Sequence, residues 1–218
     1  DDEFNHVAET FGRFDGAINL CRRASFNVLV TEAERPAFEA AAGAPVRGTR
    51  PRDSPLFNAS NIVTMIGDPY PPGAKPYYFP VVAAYPPPTW EKYVDFSQRA
   101  ADRYAAINRT LETGLPVAIA PFQTRSGWTV LFHQAIRSTD PGRPFDGFLG
   151  TSISLDAFSD LLEADTLLAS HSMFVYMQDE TDGAPIKLFS NLPDTETILL
   201  SSRSFVLAER VWRISVYM

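Results

Sequence analysis

Between Tyr77 and Leu162 the chain spells out a fixed order of elements. YYFPVVAAY (77–85) reads as a buried strand stopped by Pro86-Pro87-Pro88, and a polar helix then ends in Leu111-Glu112-Thr113-Gly114. Three strand-like runs follow, LPVAIAPF, GWTVLFHQAIR and FDGFLGTSI, before a second helical stretch begins at Leu155. Nothing along this block carries a catalytic constellation. A sheet with a mixed apolar face and no reactive groups is built to hold something rather than to convert it.

The GWTVLFHQAIR run is the clearest strand. Trp128, Val130, Phe132 and Ile136 share one face, and Thr129, His133 and Arg137 share the other. A helix followed by three antiparallel strands predicts the half-open sheet of PAS-like folds, whose covered concave face is a natural small-molecule pocket. Ser97 is placed to cap the helix and Gly114 to end it, with Ala100, Tyr104, Ile107 and Leu111 along its inner face. Residues 46–76 are rich in Pro, Gly and Asn and predict a short strand and then a long loop. The eighteen prolines, many of them within 69–88, mark long turns and edge strands.

The N-terminus has a different period. Phe4, Val7, Phe11, Phe14, Ile18, Cys21 and Val28 recur at steps of three and four, with Ser25 the lapse, which predicts a long helix with a narrow apolar seam. That seam packs either on the chain's own sheet or on the same helix of a second copy. A short helix follows, with capping-box spacing at Thr31 and Glu34, an i,i+4 pair at Arg35 and Glu39, Phe38 facing inward and Gly43 at its end. Past 153 a smaller unit is expected. It has a helix with Leu155, Phe158, Leu161 and Leu162 on one face, strands at 173–177 and 186–189, and a closing hairpin at 205–207 and 211–218 with Trp212, Ile214 and Val216 together.

Composition narrows the function. At 218 residues the chain supports one large domain or two small ones, and its net charge of −7 argues against nucleic acid and anionic lipid as partners. The single Cys21 excludes an intrachain disulfide. Two sequons, at Asn58 and Asn108, fit a secreted context. No apolar run is long enough to span a membrane, and the abrupt start reads as a fragment of something longer. His6, His133 and His171 are far apart, and GxSxG, phosphate-loop and HExxH patterns are absent, so neither catalysis nor a metal or cofactor is expected. His133 reads as a hydrogen-bonded sheet residue, and Asp179, Glu180 and Asp182 as a solvated turn.

Five segments taken in order resemble the CHASE domain, the extracellular sensor module of membrane histidine kinases and nucleotide cyclases. They are Glu34-Arg35-Pro36-Ala37-Phe38-Glu39, Tyr78-Phe79-Pro80-Val81-Val82, Leu111–Gly114 with Ala120-Pro121-Phe122, the Trp128–Ile136 strand, and Gly147-Phe148-Leu149-Gly150 with the LDAFSDLL stretch. The resemblance implies an α+β fold, a long N-terminal helix followed by two PAS-like antiparallel sheet modules. The divisions are a stalk and short helix in 1–44, a membrane-distal module in 45–153 and a smaller membrane-proximal module in 154–218.

It further implies flanking transmembrane helices outside this segment, an extracellular or periplasmic location and a homodimer through the Phe4-Val7-Phe11-Phe14-Ile18 seam. An unknown small-molecule ligand would be held by Tyr78, Val81, Ala83, Tyr85, Ile119, Pro121, Trp128, Val130 and Phe132. The family's familiar ligands, plant cytokinins, need an acidic residue just after the FPV-type strand and a hydroxyl before the Pro-Phe pair. The matching positions here are Pro86 (or Tyr85) and Ile119, which argues against cytokinin. The alternative reading is a ligand-free dimerisation and spacer element, or a docking ectodomain.

Overall fold

The computed structural model describes residues 13–14, 18–19, 21–50, 65–85, 92–97, 101–124, 127–155, 172–183, 185–190, 192 and 196–218. Among them the chain is predominantly antiparallel β-structure with two helices, an α+β protein. None of these helices is long and apolar enough to cross a membrane. Two compact units form, each from separated stretches: unit 1 includes Arg23–Leu115 and His133–Gly150, and unit 2 includes Pro116–Phe132 and Thr151–Met218.

The predicted N-terminal helix is overturned where the structure describes it. Residues 13–28 form β1 (Arg13–Phe14), β2 (Ile18–Asn19) and β3 (Cys21–Val28), with β1 paired to β2. Phe14, Ile18, Cys21 and Val28 therefore belong to strands, while Phe4, Val7 and Phe11 lie outside the described residues. The cause is tertiary. β3 is hydrogen-bonded on both sides within its sheet, and ladder pairing outweighs a helical spacing that had already lapsed at Ser25.

β8 (Val81–Tyr85), β3, β12 (Phe145–Ser154) and β11 (Gly127–Arg137) lie side by side in that order, and unit 1 holds residues 145–150 of β12 and 133–137 of β11. Ser25 pairs with Ala84 and Phe26 with Ala83, and a bulge then sets Asn27 opposite Val81. β12 approaches β3 unusually closely at Gly147. Its φ is +154°, and a Cβ there would fall 2.0 Å from the Asn27 carbonyl oxygen. The expected strand 77–85 is broken at Phe79-Pro80. β7 (Tyr77–Tyr78) pairs with β4 (Val30–Thr31), β8 pairs with β3, and Pro80 has no N–H with which to continue either ladder.

Helix α1 (Arg35–Ala42) has Glu34 as its N-cap and ends at Gly43 in the left-handed region. Glu34 and Thr31 exchange hydrogen bonds reciprocally, as their spacing predicts. The strand and loop expected over 46–76 appear as β5 (Arg47–Thr49) paired with β6 (Ile66–Pro69), and residues 51–64 lie outside the described residues. Helix α2 (Ala101–Thr113) packs on the sheet through Ile107, which joins Phe79 and Phe148 in a buried cluster. Its Thr110 is fully buried. The hydroxyl donates to the Leu115 carbonyl (2.5 Å), stands 3.3 Å from the His133 carbonyl and accepts from the Ala135 N–H (3.1 Å). A second cluster joins Val81, Ala84, Val94 and Phe96.

In unit 2, β9 (Val117–Ala118) and β10 (Phe122–Thr124) both pair with β11. A four-stranded sheet runs β14 (Ile186–Ser190), β13 (Phe174–Asp179), β16 (Arg210–Tyr217), β15 (Leu199–Leu207). Its core gathers Ala118, Val130, Leu155, Leu188 and Trp212, with Trp128 and Phe132 packed against them. Strand β15 extends six residues earlier than the expected 205–207, and every residue along it is exposed. The β15–β16 turn places Ala208 and Glu209 at φ +52° and +63°, and the Ala208 carbonyl accepts a hydrogen bond from the Ala118 N–H (2.9 Å). The acidic turn is solvated only in part, at the exposed Asp182. Asp179 is 1% exposed and takes two hydrogen bonds from the buried Arg210 (2.6 and 2.8 Å), which also reaches Asp182. The helical stretch expected after Leu155 falls in 156–171, outside the described residues.

Candidate ligand-binding site

A continuous patch of side chains lies on the sheet of unit 1. Period-two alternation points Ser25 and Asn27 of β3 to the same side, and both are buried. The Asn27 amide donates to the Ser25 hydroxyl (2.9 Å). On β12, Gly150 leaves room for these groups: a Cβ there would stand 3.1 Å from Ser25 Oγ, 3.7 Å from Asn27 Nδ2 and 3.6 Å from the Phe148 ring. Phe148 in turn makes a T-shaped contact with the His133 ring, with centroids 5.4 Å apart.

His133 is the unusual member. Its side chain is 1% exposed, and neither Nδ1 nor Nε2 has a hydrogen-bond partner among the described residues. This corrects the expectation of a hydrogen-bonded sheet residue. Burial pushes its pKa down to about 3, and the charge of Arg103 on α2 adds to the effect, so the ring is neutral at ordinary pH. The Arg103 guanidinium also lies over Phe96 (5.8 Å), and the hydroxyl of the next residue, Ser97, is buried without a partner among the described residues. Most buried polar atoms in folded proteins are paired. Unpaired nitrogens on both edges of one ring set this patch apart from ordinary core.

A second, fully connected polar cluster lies elsewhere in unit 1. The Tyr78 hydroxyl donates to Glu32, whose carboxylate also accepts from the Gly73 N–H (2.8 Å) and Arg35 (3.0 Å). Those partners, the Gly73 amide foremost and then Tyr78, hold the Glu32 carboxyl down at about 2. Lys75 pairs with the wholly buried Asp95 (2.6 Å), and its ammonium stands over the rings of Tyr70 and Tyr78. Charges paired this completely anchor the 70–78 loop to α1.

The sequence-predicted site residues fall in both units. In unit 1, Tyr78 belongs to the polar cluster and Val81 to the Val94–Phe96 core. Ala83 and Tyr85 are half-buried and lie opposite Phe26 and Ala24 in the ladder, not on the Ser25–Ala84 side. In unit 2, Val130 is core with Trp128 and Phe132 against it, and Ile119 and Pro121 are buried. Sequence reading placed none of Ser25, Asn27, Phe148 or Gly150 in the site. The signal available was Ser25, the one lapse in the apolar seam, with the polar Asn27 two residues on. The sequon at Asn108 has a structural reading as well: Asn108 accepts from the Tyr77 hydroxyl (3.3 Å), and Thr110 is the buried staple described above.

Among the described residues the patch gathers hydrogen-bonding groups, the Ser25 hydroxyl, the Asn27 amide and the His133 imidazole. The CHASE domain family's profile matches residues 1–189, and the chain belongs to that family of sensory domains. No curated protein matches it. Among solved structures, the ligand-binding domain of the Pseudomonas aeruginosa PAO1 amino acid chemoreceptor PctC in complex with GABA is similar at 11% identity. That similarity covers 62% of this chain and 68% of the other, with a TM-score of 0.41.

Proposed function

We propose that this chain is the extracellular or periplasmic sensory ectodomain of a membrane receptor. In this reading two PAS-like modules bias a cytoplasmic histidine kinase or nucleotide cyclase when a small molecule binds. The observation that carries it is the family match across residues 1–189. The ligand site is assigned to unit 1, where Val81, of the sequence-predicted set, shares the sheet side of Ser25 and Asn27. Pairing of two copies rests on the Phe4, Val7 and Phe11 spacing alone, since Phe14 and Ile18 are strand residues.

The test is the full coding sequence together with the whole receptor in membranes. Apolar segments of about twenty residues on both sides, then a kinase or cyclase whose activity changes on adding a ligand, are expected. A coding sequence without flanking spans sinks the reading. A ligand-free spacer role is favoured for unit 2 by one observation: Trp128 and Phe132 pack shut against Val130 and Trp212. If that is its role, Trp128→Ala lowers stability and leaves ligand response unchanged.

A further inference from the structure

His133 is a fully buried imidazole whose two nitrogens both lack partners among the described residues, and its ring meets Phe148, which lies beside Gly150 and the polar pair Ser25 and Asn27. Leaving buried donors and acceptors unpaired is costly, and natural structures resolve such cases with a bound molecule or ordered water. We propose that His133 is the specificity-determining group for the sensor's ligand, and that this ligand is a small uncharged molecule bearing an amide. The inference rests on the sensor reading above and names the chemical class that such a sensor detects.

The argument is one of complementarity. A neutral imidazole offers one N–H donor and one bare acceptor nitrogen. An amide carries both counterparts, a carbonyl oxygen for the N–H and an N–H for the bare nitrogen, directly or through one water. An anion satisfies only the ring N–H and sets its charge against the lone pair of the other nitrogen. A cation satisfies only the bare nitrogen, in the field of Arg103, which already acts on this ring. Either charged form also loses its hydration on entering a site where His133 is 1% exposed. The T-shaped contact with Phe148 satisfies neither ring nitrogen.

The test uses the isolated chain with 15N-labelled histidine, observing the imidazole nitrogens of His133 by NMR. Benzamide and acetamide are titrated, with benzoate and benzylamine as charged counterparts. The expected result is that an amide moves both His133 nitrogen signals and binds at least tenfold more tightly than either charged probe. His133→Phe, which keeps an aromatic ring and removes both nitrogens, then loses at least tenfold in amide affinity. If that variant does not fold, the nitrogen shifts of the unmodified chain decide alone.

Unmoved His133 signals with both amides overturn the proposal, and a water molecule is then the occupant. Tighter binding of benzoate overturns it too, as does equal amide affinity in His133→Phe. Stabilisation of the chain by some charged metabolite, with His133 signals still, defeats the amide ligand and leaves the sensor reading intact. Absence of flanking membrane spans defeats the sensor reading whatever His133 binds.

Discussion

Three residues of unit 1 do work that no neighbour duplicates. Gly147 allows β12 to lie against β3, because any side chain there meets the Asn27 carbonyl at 2.0 Å. Gly147→Ala is therefore expected to cost about 2–4 kcal/mol, read as a lower urea midpoint with unchanged slope. A loss below about 1 kcal/mol would show that the strands separate easily. Thr110 joins α2 to β11 by accepting from the Ala135 N–H and donating to Leu115. Thr110→Val keeps the shape but orphans a buried N–H, so about 1–3 kcal/mol should be lost, and Ala135 amide exchange should quicken more than that of its neighbours. His133 differs from both, since its polar atoms are unpaired rather than shared.

Elements show which physics was readable in the sequence. Strand β11 and helix α2 were legible because each carries a strong period and a definite stop, Gly114 for the helix at φ +69°. The N-terminal seam misled because spacing at three and four describes a helix only when no sheet competes, and β3 is an interior strand. Strand β15 was read short because Ser201-Ser202-Arg203-Ser204 has no apolar alternation, and its order comes from pairing with β16 instead. The polar patch was illegible for a related reason: its members Ser25 and Asn27 gain meaning only once β3 is a strand. The β15–β16 turn carries a prediction of its own. Two consecutive positive-φ residues define a turn that favours Asn-Gly, yet Ala208-Glu209 occupies it. Glu209→Gly, which relieves one positive φ and leaves Ala208 packed against the core, should raise stability by roughly 1 kcal/mol, seen as a Tm increase of a few degrees. No increase would mean that the Ala118–Ala208 hydrogen bond, and not turn chemistry, sets this geometry.

For the whole molecule, acid is the informative variable. The folded pKa of His133, about 3, lies below its ordinary 6.5, so the unfolded chain binds the extra proton between those values. Stability then falls as pH drops from about 6.5 toward 3, by up to about 1.4 kcal/mol per pH unit. Glu32 acts lower: its contribution is complete above its ordinary 4.5 and is lost as pH falls toward about 2. Urea unfolding at pH 7, 5.5 and 4.5 should show a decline that His133→Phe flattens, and a decline unchanged by that substitution would refute a buried neutral ring. A net charge of −7 opposes self-association. One edge of unit 2 runs against that. Among the described residues strand β15 is the edge of its sheet, with Leu199-Leu200 and Phe205-Val206-Leu207 exposed and Arg203 the only charge between them. Arg203 is thus a gatekeeper against fibrous stacking, and Arg203→Val should turn a clear concentrated solution turbid on storage at unchanged Tm.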